Sequence, residues 1–207
     1  MKRVLLFSFG LLLCLSNLQA EEAAWQEQPN SLSISAGAIS GYFVGKSLFS
    51  WIPAAAGHSR HSKYYGSYGI QYHHQLKKWC RLGVKGTWEG DNYDLYTGKN
   101  DTDVRKGITF NNMVSLVASV QFLYLTREHV QLYSGLDAGA AAYIRDTRYD
   151  AGFDDGNGNS HPVNVVWLPA VNITPLGVAF GSWRVYGFVE VNVGYEAFGK
   201  AGLGVHF

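Results

Sequence analysis

From Val114 to Tyr124 the chain alternates residue by residue. Val114, Leu116, Ala118, Val120, Phe122 and Tyr124 form one set, and Ser115, Val117, Ser119, Gln121 and Leu123 form the other. A period of two places the sets on opposite faces of an extended strand, whereas a helix would mix them. The pattern recurs along the chain. Tyr64, Gly66, Tyr68, Ile70 and Tyr72 alternate with Tyr65, Ser67, Gly69, Gln71 and His73; Cys80, Leu82, Val84, Gly86 and Trp88 with Arg81, Gly83, Lys85, Thr87 and Glu89. Val130, Leu132, Leu136, Ala138 and Ala140 alternate with Gln131, Tyr133, Gly135, Asp137 and Gly139. Val185, Gly187, Val189, Val191 and Val193 do so with Tyr186, Phe188, Glu190, Asn192 and Gly194. "SLSISAGA" near the start and "GKAGLGVHF" at the other end behave likewise. With a further segment at 163–181, where Pro169 and Pro175 require a bend or an interruption, eight strands are expected. The fold class is all-β.

The connections follow a rhythm. Long polar stretches at 43–62, 92–108 and 144–162 alternate with the short turns "QLKKW", "TREH" and "GSWR"; only "EAFG" breaks the order by being short. An up-and-down antiparallel arrangement puts the long connections at one end and the short ones at the other.

Each strand has an apolar and a polar face, and the choice of solvent for each decides the architecture. A soluble barrel or sandwich turns the apolar face inward; a membrane barrel turns it to lipid and fills its interior with the polar face. Here the polar face is rich in Gly, Ser, Asn and Gln, with a few charges of both signs at Arg81, Lys85, Glu89, Asp137, Glu190 and Lys200. Small residues with balancing charges suit a narrow interior, where a buried charge must be paired. Aromatic residues gather towards strand ends at Trp79, Trp88, Phe122, Tyr124, Tyr195, Phe198 and Phe207, as interfacial girdles require. The expected structure is a closed, antiparallel, up-and-down transmembrane β-barrel. Closure follows because an open sheet edge cannot survive in lipid.

The start of the chain fits this reading. "MKRVLLFSFGLLLCLSNLQA" carries Lys2 and Arg3, an apolar run from Val4 to Leu15 and a small residue, Ala20, before Glu21 and Glu22. That is the three-part export signal, and the run is short for a spanning helix, which needs about 20 apolar residues. Lipid attachment at Cys14 is disfavoured by Leu11, Leu12 and Leu13 ahead of it. The longest apolar stretch elsewhere, Met113–Leu125, is broken by Ser115, Ser119 and Gln121, so no helical span is expected. Seventeen basic and 16 acidic residues nearly cancel, which speaks against a nucleic-acid partner. Once the leader is removed only Cys80 remains, so no internal disulfide can hold the fold.

The stretch "TPLGVAFGSWRVYGFVEVNVGYEAFGKAGLGVHF" contains the Thr174–Pro175 step with Gly177, the Gly187 and Glu190 strand, the Gly199 and Gly202 spacing, and Phe207. It resembles the C-terminal part of small outer-membrane β-barrel proteins of Gram-negative bacteria, the OmpA-type and OmpX-type barrel class. The resemblance implies residues 1–20 as a signal peptide, 21–30 as a short periplasmic segment and 31–207 as the barrel domain in the outer membrane. It also implies lipid, lipopolysaccharide and the outer-membrane assembly machinery as partners of a monomer. Ala201, Leu203, Val205 and Phe207, on one face of the final strand, would carry the assembly signal.

Chemistry has several candidate seats. His58, His61, His73 and His74 could suggest a metal site, but no thiolate or carboxylate stands at ligand spacing beside them. "DGNGNS" opens like a calcium loop at Asp155, Asn157 and Asn159, yet Ser160 replaces the required Gly and Val166 the bidentate Glu. His58 with Ser59, or His61 with Ser62, would be needed for lipid-directed hydrolysis, but sequence neighbours on a strand point to opposite faces, and there is no G-x-S-x-G elbow. The expectation is a non-enzymatic structural or interaction barrel without cofactor, metal or catalytic residue. The alternatives are a lipid-modifying enzyme and a small-solute porin.

Overall fold

The computed structural model describes residues 28–40, 59–96, 104–127, 129–154, 156, 158–182 and 184–207. Eight strands follow in order: β1 (Asn30–Ser40), β2 (Ser59–Lys77), β3 (Cys80–Tyr96), β4 (Arg105–Thr126), β5 (Val130–Tyr149), β6 (Val163–Gly181), β7 (Val185–Gly194) and β8 (Ala197–His206). Each pairs antiparallel with its neighbour, and β8 returns to β1 to close the ring. The closing ladder runs from Ser31↔His206 to Ser40↔Ala197. It reaches the last residue, since Phe207 donates its N–H to the Asn30 carbonyl at 2.9 Å and accepts from Asn30 N–H at 3.1 Å. The signal-peptide assignment and the His58 positions lie outside the described residues, as do Asp155 and Asn157.

The alternation sorts the side chains as a membrane barrel requires. Ile34, Leu116 and Leu203 point outward and are 62%, 68% and 64% exposed. Ser115, Ser119, Gln121, Asp137, Glu190 and Asn192 point inward and are buried. The short turns gather at one end, here called the lower end, where Ser182 closes the β6–β7 turn by accepting from Val185 N–H at 3.1 Å.

Two expectations need correction, the length of the connections and the place of Tyr195. The long polar connections are shorter than the sequence suggests, because β3 runs to Tyr96, β4 starts at Arg105 and β5 runs to Tyr149. β6 runs on without interruption, and the irregularity expected of its prolines falls at Pro175, where the ladders to both β5 and β7 shift register. Pro175 sits at a register shift against β7 between Ile173 and Leu176, and Pro169 lies beyond the last β7 pair, Asn172↔Gly194, so neither takes a ladder donor from a partner strand. Tyr195 belongs to no outer girdle; it packs against the interior cluster of Met113, Val117, Ala141 and Ala170.

The inward glycines of β8 have a steric cause. A Cβ on Gly202 would meet the Ile34 carbonyl and the Phe188 ring, and one on Gly204 would meet the Tyr186 ring. Two large rings from β7 therefore fill the interior only because β8 presents hydrogen atoms there. Gly202→Val is expected to cost about 1–3 kcal/mol by overpacking, read as an earlier urea midpoint in detergent micelles. An unchanged midpoint would show that the Phe188 ring has room to move.

Candidate functional site

The interior is layered along the barrel axis. At the lower end Leu123, Tyr133, Ala179, Tyr186 and Phe188 form an apolar plug. Beside it the Arg81 guanidinium donates to Gln131 Oε1 at 2.9 Å and to Gln75 Oε1 at 3.3 Å. His206 lies against the Tyr186 ring, with centroids 4.6 Å apart, and His73 Nε2 is 3.1 Å from Ser119 Oγ.

The middle layer is ionic. Lys85 Nζ lies 2.6 Å from Asp137 Oδ2 and 3.2 Å from Glu196 Oε2. Lys200 Nζ lies 2.7 Å from Glu190 Oε2 and 3.1 Å from the same Glu196 oxygen. Glu196 thus bridges two ion pairs contributed by β3, β5, β7 and β8. Tyr133 OH donates to Glu190 Oε1 at 2.8 Å, and Asn172 Nδ2 to Asp137 Oδ2 at 3.1 Å. Thr174 Oγ1 donates to Asn192 Oδ1 at 2.6 Å. All of these groups are buried, so each charge has exchanged water for an opposite charge, and the carboxylates of Asp137 and Glu190 gain a neutral donor besides, the condition under which a buried pair persists.

Of the six charges named from the sequence, the structure pairs Lys85 with Asp137 and Lys200 with Glu190. Glu89 is buried on the same β3 face, one step above Thr87. Arg81 was expected to face a carboxylate; its hydrogen bonds go to two glutamine oxygens instead. Glu196 stands outside that set, because "EAFG" reads as a turn, and parity does not recover it: Phe198, midway between Glu196 and Lys200, is exposed while Ala197 is buried, so the strand alternation breaks at Phe198–Gly199. On the outer surface of β8, Ala201, Leu203, Val205 and Phe207 form one exposed row.

Above the ionic layer lies the cluster of Met113, Val117, Ala141 and Ala170, with Tyr195 against it. Further up the lining becomes polar. Tyr143 OH donates to Asn111 Oδ1 at 2.6 Å, Asn111 Nδ2 to Asp91 Oδ2 at 3.1 Å, and the Thr109 and Thr147 hydroxyls lie 3.1 Å apart. His73 and His74 face opposite sides of the β2 wall, and His74 Nδ1 lies 3.0 Å from Asn30 Oδ1 on the outside. In the 150–162 connection, Asn159 Oδ1 accepts from His161 N–H at 2.9 Å, an Asx turn, and Val166 lies within β6.

The outer surface carries aromatic pairs at two heights. Trp79 stacks on Phe122 with centroids 6.2 Å apart, and Tyr68 on Trp88 at 5.8 Å. Trp88 Nε1 donates to Asn112 Oδ1 at 3.2 Å, so an indole N–H meets a polar partner where the apolar surface ends.

No family model matches the chain, and no curated protein does. Solved structures similar to it include the N-terminal β-barrel domain of Pseudomonas aeruginosa OprF. That similarity has 12% identity and a TM-score of 0.42, covering 87% of this chain and 99% of that one. Ail, the attachment invasion locus protein of Yersinia pestis, is similar in two structures. In its complex with the heparin analogue sucrose octasulfate the identity is 12% and the TM-score 0.43; without it, 14% and 0.39. Both cover 86% of this chain and 97% of the other.

Proposed function

We propose that this chain is an outer-membrane β-barrel protein of a Gram-negative cell, exported by a cleaved signal peptide, with a side-chain-filled interior and a structural or interaction role rather than an enzymatic one. The observation that carries the reading is the inverted distribution of polarity on a closed ring: Lys85, Asp137, Glu190, Glu196 and Lys200 are buried, while Ile34, Leu116, Val171 and Leu203 are exposed. Water would favour the reverse; lipid favours this arrangement and requires the closure. The dimensions agree. From Trp79 to Trp88 is about 30 Å along β3, which at a strand tilt of about 40° is about 23 Å of height, close to the ~25 Å apolar band of outer-membrane barrels.

A filled interior argues against free passage of solutes, because eight strands leave room for little beyond side chains. Here Tyr186 and Phe188 at the lower end and the Lys85–Glu196–Lys200 bridge above them occupy it. The outward row of Ala201, Leu203, Val205 and Phe207 on the closing strand is the surface we assign to the assembly machinery. Lipid and lipopolysaccharide would surround the barrel.

The protein is expected in the outer-membrane fraction, extractable only with detergent, and to migrate faster on a gel before boiling than after. In planar bilayers it is expected to show no steady conductance. Solubility without detergent would overturn the membrane reading, and a steady open conductance would overturn the filled interior.

A further inference from the structure

On the outer wall, the row just above the upper aromatic pair is built on glycine. Tyr68 of β2 stands opposite Trp88 of β3, and the next outward row is Gly66, Gly90 and Asn112. Gly66 adopts φ +98°, where the β2–β3 ladder shifts register between Tyr64 and Gly66. A Cβ on it would touch the Tyr68 ring and hydroxyl at 3.6 Å, and one on Gly90 would lie 2.8 Å from the Trp88 ring. Both rings therefore lean along their strands over this row, with 24° between their planes.

Their polar atoms hold them there. Tyr68 OH donates to the Tyr65 carbonyl at 3.1 Å, and Trp88 Nε1 to Asn112 Oδ1 at 3.2 Å. One row higher, Lys63 faces Asn92 across the ladder. Asn92 Nδ2 donates to Tyr65 OH at 2.6 Å, and Lys63 Nζ stands 5.8 Å from the centre of the Tyr65 ring. The result is a fixed patch, aromatic below and polar above, in which Tyr68 is 51% and Tyr65 and Trp88 are each 38% exposed. Each carboxamide uses only one of its two polar atoms in these bonds. Asn112 Nδ2 is left as a donor and Asn92 Oδ1 as an acceptor, and Lys63 has no carboxylate partner among the described residues.

We propose that this patch seats the phosphorylated sugar headgroup of an outer-leaflet lipopolysaccharide, with a sugar ring against the Tyr68–Trp88 pair, its hydroxyls on Asn92 and Asn112, and a phosphate at Lys63. The inference rests on the membrane reading above. Position says what covers the patch: Trp88 marks the top of the apolar band, so the wall immediately above it faces the headgroups of the surrounding lipid. Height chooses among headgroups. From Trp88 to Asn92 is about 13 Å along β3, or about 10 Å of height at a strand tilt of about 40°. That exceeds the ~5–8 Å that phospholipid headgroups add on each side of the hydrocarbon, whereas a headgroup made of sugars reaches it. The chemistry agrees. Aromatic rings take the C–H face of a sugar, carboxamides take its hydroxyls, and an ammonium group takes a phosphate as a point charge; a choline headgroup would instead bring a second cation beside Lys63.

The test uses the full barrel in detergent micelles. It is titrated with radiolabelled lipopolysaccharide, with the same lipopolysaccharide after chemical dephosphorylation, and with phosphatidylglycerol, and the lipid retained when the barrel is captured by antibody is counted. Wild-type barrel is expected to bind lipopolysaccharide at least tenfold more tightly than phosphatidylglycerol, and at least fivefold more tightly than the dephosphorylated form. Lys63→Gln should abolish the second preference and leave binding of the dephosphorylated form unchanged. Asn112→Leu should weaken binding of both forms at least threefold; Asn92→Leu, which loses only the bond to Tyr65, repeats that arm should Asn112→Leu fail to fold. Lys77→Gln, at the lower rim, should change nothing. Equal binding of lipopolysaccharide and phosphatidylglycerol would overturn the proposal, and so would a loss in Lys77→Gln matching that in Lys63→Gln, since either would show attraction by charge alone. A barrel that stays soluble without detergent sinks the membrane reading; one that needs detergent but shows no preference sinks the patch alone.

Discussion

Lys85→Met is expected to lower the unfolding free energy by about 3–5 kcal/mol, the cost of removing one partner of a buried ion pair and leaving the other charge uncompensated. Lys85 holds Asp137 at 2.6 Å and shares Glu196 with Lys200. Without it, Asp137 keeps only the Asn172 amide among its described partners, and two glutamates crowd the single remaining lysine. Urea unfolding in detergent micelles, followed by tryptophan fluorescence, measures the loss. The double variant Lys85→Met with Asp137→Leu separates pairing from packing. Removing both charges of a buried pair is often neutral or stabilising, so the double variant is expected to unfold later than the single one. A single variant with an unshifted midpoint would mean that water reaches this layer and screens it.

Leu203→Arg is expected to cost about 2–4 kcal/mol in a bilayer, the range for a cation on the lipid face near the midplane of a membrane barrel. Leu203 lies in the middle of the outward row of β8, opposite Ile34 on β1 and Gly187 on β7. Depth makes the test selective, because Phe207→Arg, at the lower rim, should cost only about 0–1 kcal/mol. Folding titrations into lipid vesicles read both values. In a soluble barrel either change would be an ordinary surface substitution worth about ±0.5 kcal/mol, so equal and negligible effects would remove the lipid from around β8.

The parts of the fold that the chain advertises are those where one face meets hydrocarbon and the other does not. Val114–Tyr124 and Val185–Val193 could be read residue by residue because lipid and lumen impose opposite demands on neighbouring positions. The demand stops above the apolar band. There neither face is held to hydrocarbon, and the strand residues Asn92–Tyr96, Arg105–Ile108 and Asp146–Tyr149 look like loop although they are paired in strand ladders. Upper β6 resists reading for the opposite reason: Val163, Val165, Val166, Trp167 and Leu168 are apolar on both faces, so no alternation marks which side is lumen. In the interior, the charges were legible as a set but not as pairs. Parity reveals that Arg81 points inward, but not that two glutamines, Gln75 and Gln131, lie within its reach, since that depends on register across strands far apart in sequence.

The seam between β1 and β8 has a consequence for how the chain acquires its shape. Every other ladder joins strands adjacent in sequence and can form as hairpins do, whereas Ser31↔His206 joins opposite ends of the described chain. Contacts of such separation carry the largest loop-closure cost and form slowly. Until that last ladder zips, β1 and β8 each present an unpaired edge flanked by exposed Ile34 and Leu203, a template for sticking to other chains. The interval between hairpin formation and seam closure is therefore the hazardous part of this protein's life, and a mutation slowing closure would be paid for in aggregated precursor long before it showed as instability of the finished barrel.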